Sequence, residues 1–187
     1  MLKKYLLSLL LSVTLFSPAF ADEVKPVVVM TTSAGVIELE LVPEQAPLTV
    51  ANFLRYVENG FFTDTIFHRV IDNFMIQGGG FTADLERKDT LPAVRNESIN
   101  GLPNMRGTIS MARTNDPDSA TSQFFINLKN NDFLNANGPR PGYAVFGKVV
   151  SGMDIITRIG HVQTGRQGPY KDVPVEPIVI QSVALKQ

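Results

Sequence analysis

The sequence predicts an all-β domain: a closed antiparallel barrel capped by two α-helices. Three observations lead there. Short runs rich in Val, Ile and Phe recur between turn residues, only two segments show helical spacing, and a C-terminal Val/Ile run is placed to return to the first strand. Such a return would remove exposed sheet edges.

Residues 27–32 and 36–41 flank Ser33-Ala34-Gly35, and apolar and acidic residues alternate from Ile37 to Leu41. This predicts a β-hairpin with one wet face. Pro47 then opens a segment with Val50, Phe53, Leu54 and Val57 at helical spacing, and Asn59-Gly60 ends it. That is an amphipathic helix with a proline start and a glycine stop. Strands are expected near 65–70, 74–79, 108–112, 123–127 and 143–150, a shorter helix near 153–159, and the closing strand within 175–185. Between them, residues 82–107 carry Pro92 and Pro103 with little periodicity and read as a long ordered loop beside a binding groove.

Before the first strand, Lys3 and Lys4 precede an apolar run from Leu6 to Phe16, followed by Ser17-Pro18-Ala19-Phe20-Ala21. This is the pattern of a cleaved secretory signal over residues 1–21, leaving residues 22–187 as one domain. The run contains Ser8, Ser12 and Thr14 and falls short of the roughly 20 apolar residues that a membrane span needs. Cleavage removes two of the 17 basic residues and leaves 15 against 18 acidic, a net charge of −3. Mild acidity without a basic block argues against nucleic acid as a partner. The chain has no Cys and two His, a poor donor set for a transition metal. Gly78-Gly79-Gly80 lacks the Lys-Ser/Thr and helix of a phosphate loop, and Ser119 and Ser122 lack the setting of a hydrolase nucleophile. No cofactor is expected.

The chemistry concentrates in residues 67–81 and 122–127. Strands place alternate side chains on one face, so Phe67 is expected beside Arg69, Met75 beside Gln77, and Gln123 beside Phe125. Converging, these faces would form a shallow apolar pocket with a fixed cation and amide donors at its rim. A proline ring and its preceding carbonyl fit that description. A lone strand arginine is more commonly a surface residue in an ion pair, and Phe74, Met75, Phe125 and Leu134 taken singly would be ordinary core. His68 alternates away from Arg69 and reads as structural, and His161 stands alone in a loop-like segment.

The words around these residues reverse that weighting. Phe67-His68-Arg69-Val70-Ile71, Phe74-Met75-Ile76-Gln77-Gly78-Gly79, Met111-Ala112, Ser122-Gln123-Phe124-Phe125-Ile126 and Val145-Phe146-Gly147-Lys148-Val149 stand in one order. From about Val28 to Leu185 the chain resembles the cyclophilins, peptidyl-prolyl cis/trans isomerases, and with its leader it looks most like the periplasmic cyclophilins of Gram-negative bacteria. The resemblance implies eight antiparallel strands, Arg69 as the catalytic cation, and Gln77 orienting Arg69 and the substrate. It implies Phe74, Met75, Phe125 and Leu134 as ring walls, Phe133 and Tyr143 at the rim, and the Arg113 backbone holding the carbonyl before proline. Ala112 and Gln123 complete the substrate-binding set. The implied partners are proline-containing segments of exported proteins, met by a monomer free of membrane after cleavage.

Many cyclophilins have Trp where Phe133 stands, His where Tyr143 stands and Asn where Arg113 stands. Phe133 has no indole N–H, so weaker binding of the drug cyclosporin is expected than in typical eukaryotic members. Two other readings stay open at this stage: a noncatalytic module or chaperone holding proline segments in the same groove, and a barrel carrying an apolar ligand inside.

Overall fold

The computed structural model describes residues 25–187, and the expected leader lies outside the described residues. The first hairpin forms as its alternation demands: β1 (Val27–Thr32) and β2 (Gly35–Leu41) pair antiparallel, with Val28, Met30, Ile37, Leu39 and Leu41 fully buried. Helix α1 (Pro47–Glu58) starts on its proline and buries Val50, Phe53, Tyr56 and Val57. Its N-cap, Ala46, has no side-chain oxygen to offer. Glu97, from the long loop, supplies one instead, accepting the Leu48 and Thr49 backbone N–H at 3.1 and 2.8 Å and the Thr49 hydroxyl at 2.6 Å. A carboxylate at the positive end of a helix dipole is well placed, and here it also ties the loop to the barrel.

The remaining elements are β3 (Thr65–Ile66), β4 (Arg69–Ile71), β5 (Met75–Gly78), β6 (Thr108–Met111), β7 (Phe124–Asn127), β8 (Val145–Ser151), α2 (Met153–Gly160), β9 (Thr164–Gln167), β10 (Tyr170–Pro174) and β11 (Val179–Leu185). Nine of the eleven strands among the described residues form one antiparallel sheet in the order β3-β11-β1-β2-β8-β6-β7-β5-β4, and β9 and β10 make a separate hairpin. The two ends of that order, β3 and β4, are separated in the chain only by Phe67 and His68. The sheet therefore curls until its edges meet in one segment. Counting that segment once gives the expected eight staves; the difference is that it is broken.

The break changes one expectation. In a continuous 65–70 strand Phe67 would face the same way as Arg69, but Thr65, Ile66, Phe67 and His68 are all buried while Arg69 is exposed. Phe67 therefore belongs to the core, where its ring lies edge-on to Phe124 at 6.1 Å. Inside the sheet Phe53 packs at 5.1, 5.9 and 5.2 Å from Phe62, Phe124 and Phe146. Aromatic rings, rather than room for a carried ligand, occupy the interior.

Candidate active site

Strand register builds the site. Arg69 on β4 stands opposite Gln77 on β5, Gln77 opposite Phe125 on β7, and Phe125 opposite Ser110 on β6. One row of side chains thus crosses four strands on one face. One residue along, Val70, Ile76, Ile126 and Ile109 make the matching row on the other face, all buried in the core. Period two alone therefore sends the apolar row inward and the Arg-Gln-Phe row outward.

On that outer face Met75, Phe125 and Leu134 form a small apolar cluster separate from the main core, with Phe74, Ala112 and Tyr143 packed around it. Leu134 comes from a 3-10 turn, Asp132–Leu134. These residues, with Arg69, Gln77 and Arg113, line a cavity of about 170 Å³. That is below the roughly 300–1,000 Å³ of a typical small-molecule site and suits a single ring. The Tyr143 ring meets Phe125 edge-on at 5.5 Å, and the Arg113 guanidinium lies over the Tyr143 ring, 4.6 Å from its centroid. Arg113 is fixed there by donating to the carbonyls of Gly142, Pro141 and Thr114 at 3.1, 3.0 and 2.9 Å.

Two expected residues stand just outside. Gln123 lines an adjoining cavity with Gln77 and Arg87, and accepts a hydrogen bond from the Gln77 amide at 3.0 Å. Phe133 is 65% exposed, stacks on Phe74 at 5.6 Å and lines a second adjoining cavity with Arg140. Gln77 thus gives its amide N–H to Gln123, and its carbonyl oxygen is the only group with which it could engage the all-donor guanidinium of Arg69. The charged partner of Arg69 is Asp172 on β10, with Nε 3.7 Å from Oδ2. Both side chains are over 40% exposed, so the pair is of the weak surface kind and leaves the guanidinium available.

His68, next to this cation, is buried against Phe81 at 4.6 Å with its Nδ1 unpartnered. Burial, and then the positive charge of Arg69, hold its imidazole down at about 4, so it is neutral at pH 7. Beneath the pocket lies a set of buried amides that sequence reasoning missed. Asn131 donates its side-chain N–H to the Phe74 carbonyl at 3.0 Å and to Asn127 Oδ1 at 2.7 Å, while its backbone carbonyl accepts the Leu134 N–H at 2.9 Å. Asn104 donates to the Tyr143 carbonyl at 3.3 Å and accepts from Ser110 and Asn127 at 2.7 and 3.2 Å. Three walls of the pocket therefore hang from two asparagines. Among the described residues no group of three His, Cys, Asp or Glu is gathered to hold a metal ion.

The site is thus a guanidinium beside a small apolar pocket, and comparison with known proteins gives the family. The model of the family described as cyclophilin type peptidyl-prolyl cis-trans isomerase matches residues 27–185. The chain is 58% identical over 175 residues to peptidyl-prolyl cis-trans isomerase A of Dickeya dadantii (strain 3937), covering 94% of this chain and 92% of that one. It is 50% identical over 159 residues to peptidyl-prolyl cis-trans isomerase B of Escherichia coli (strain K12), covering 83% and 97%. Among solved structures, a cyclophilin type peptidyl-prolyl cis-trans isomerase of Cryptosporidium parvum superposes with a TM-score of 0.72 at 26% identity, covering 87% of this chain and 98% of that one. The same protein solved in the presence of the dipeptide Ala-Pro gives 0.71 over 86% and 99% at the same identity. Family match, relatives and fold agree: the chain belongs to the cyclophilin-type peptidyl-prolyl cis/trans isomerases, enzymes that catalyse rotation about the bond preceding proline.

Proposed function

We propose that the pocket walled by Met75, Phe125 and Leu134 takes the proline ring and that Arg69 is the catalytic group. We propose further that the mature domain, residues 22–187, works in the periplasm on exported proteins. The observation that carries the site assignment is the outward row Arg69, Gln77, Phe125, which sets the cation beside the apolar floor. The leader pattern of residues 1–21 supports the compartment.

Rotation about a peptide bond crosses a barrier of about 18–20 kcal/mol because resonance is lost in the twisted state. At X-Pro bonds it takes tens to hundreds of seconds uncatalysed. As the amide twists, the prolyl nitrogen regains its lone pair, so a donor aimed there binds the twisted state better than either planar one. That difference is catalysis without a covalent bond. A guanidinium stays protonated and presents a rigid fork of donors, which addresses the prolyl carbonyl and the pyramidal nitrogen together. One charge-assisted hydrogen bond contributes about 1.5–3 kcal/mol, whereas a thousandfold acceleration needs about 4 kcal/mol. Clamping must supply the rest. The ring is held by the apolar walls, and the carbonyl before proline by the backbone at Arg113, so that one side of the bond is fixed while the other turns.

Arg69→Ala should lower kcat/KM by at least about tenfold, equivalent to about 1.4 kcal/mol. Arg69→Lys should recover little, because an ammonium is a point charge without the fork. Rates are to be read in an isomerisation assay on a proline tetrapeptide, with thermal unfolding compared for all three proteins. A folded Ala variant that works at the original rate removes Arg69 from the mechanism.

A further inference from the structure

Three cavities adjoin along the outer face. The ring pocket shares Gln77, Ala112 and Arg113 with the cavity that holds Arg87, and Arg113, Leu134 and Tyr143 with the cavity that holds Arg140. Arg69, Arg87, Arg113 and Arg140 line this continuous groove, and no Asp or Glu lines any of the three cavities. The chain as a whole carries a net charge of −1, so the groove runs against the sign of the molecule.

One of these four cations pairs with a carboxylate among the described residues. Asp172 offsets Arg69 at 3.7 Å, but none reaches within 4.0 Å of a guanidinium nitrogen of Arg87, Arg113 or Arg140 among the described residues. Asp116 and Asp118, in the loop beside Arg113, turn their oxygens onto the backbone N–H groups of Asp118 and Asn96 at 3.0 and 2.7 Å. Glu86 and Asp132 neighbour Arg87 and Phe133 in sequence, are exposed, and line none of the three cavities. Arg113 spends its donors on three carbonyls yet keeps its charge at the boundary of two cavities. Arg87 and Arg140 are exposed and uncommitted, one at each side of the ring pocket.

We infer that this enzyme selects proline segments with acidic side chains flanking the proline. The inference rests on the reading of the central cavity as the prolyl site and adds its substrate class. An extended chain through the groove passes a cation on either side of the ring. A Glu there gains an ion pair, and a Lys meets repulsion. Exposed pairs are individually weak, so the preference accumulates over several cations and reaches about tenfold in kcat/KM between Glu and Lys peptides at low salt. At 1 M salt, where the screening length is about 3 Å, it should vanish.

The test uses the mature protein and peptides blocked at both ends, in which one residue on each side of an Ala-Pro pair is Glu, Gln or Lys. Exchange NMR measures isomerisation without a coupling protease that has charge preferences of its own. Expected is the order Glu, Gln, Lys at low salt, convergence of the three at high salt, and a smaller Glu-to-Lys ratio in Arg140→Gln and Arg87→Gln, both exposed positions whose folding is checked by thermal melts. The salt series on the unaltered protein needs no variant. Equal rates for the three peptides at low salt overturn the charge inference while the prolyl-site reading stands. Failure to turn over even the Gln peptide overturns both.

Discussion

At the residue scale, His68 shows how one buried side chain is linked to the acidity of the medium. Its imidazole is held at about 4 in the folded protein against an ordinary 6.5, so between those values the unfolded chain binds a proton that the native state refuses. The contribution to stability is complete above pH 6.5 and is lost as the pH falls toward about 4. The full loss is on the order of 3 kcal/mol for a group that is 6% exposed. Denaturant unfolding at pH 7.5, 5.5 and 4.5 should show this decline, and His68→Phe, which keeps a ring against Phe81 but takes up no proton, should flatten it. Parallel slopes for the two proteins would assign the decline to carboxylates. Neutrality also matters for the neighbour: a protonated His68 would compete with Arg69 for the field of any carboxylate nearby.

At the scale of elements, the walls of the ring pocket depend on the amides beneath them. Asn131→Ala removes the donor that reaches both Phe74 and Asn127; the Phe74 carbonyl keeps the Leu128 N–H at 2.9 Å, while the buried Asn127 Oδ1 loses its donor. A loss of about 1–3 kcal/mol is expected from the unpaired acceptor. Asn131→Asp keeps the shape without the donors and should lower kcat/KM for a proline peptide at temperatures where it is still folded. Unchanged kinetics in that folded variant would show that Phe74 keeps its place without the amide. The hairpin, both helices and the closing strand were legible in the sequence because a two-residue or helical period marks each of them. The β9–β10 hairpin was not, since Thr164–Gln167 is exposed throughout and carries no alternation. Its consequence for the site, Asp172 beside Arg69, was hidden with it. Likewise, Met75 beside Gln77 and Gln123 beside Phe125 could be read from alternation within each strand, whereas the row Arg69, Gln77, Phe125 and the partnership of Gln77 with Gln123 depend on how neighbouring strands are offset. Asn104, Asn127 and Asn131 share no period in the sequence, and only three-dimensional convergence turns them into a buried network.

At the scale of the whole molecule, the family assignment covers residues 27–185, so the leader is a separate question with a separate measurement. Mass spectrometry of the protein recovered from a Gram-negative periplasm should give a chain beginning at Asp22. A product that retains residues 1–21 in a membrane fraction would overturn the export reading. The ring pocket sits on the outer face of the same sheet whose inner face packs the filled core, so β4, β5 and β7 with the loops around Arg113, Leu134 and Tyr143 need no separate domain to hold it.

The pairing of β1 with β11 sets the order in which this molecule can be made. The first strand of the described chain has the last strand as one of its two neighbours, and the Lys186 N–H closes on the Val27 carbonyl at 2.8 Å. No part of the chain emerging from a ribosome or a translocation pore can therefore complete the barrel until its final residues are out. Until then β1 offers an unsatisfied edge to any passing strand. Contacts so distant in sequence also slow the search for the native state. An enzyme that hastens a slow step in the folding of other chains thus carries a slow step of its own, one of topology rather than of proline, which its own chemistry does nothing to shorten.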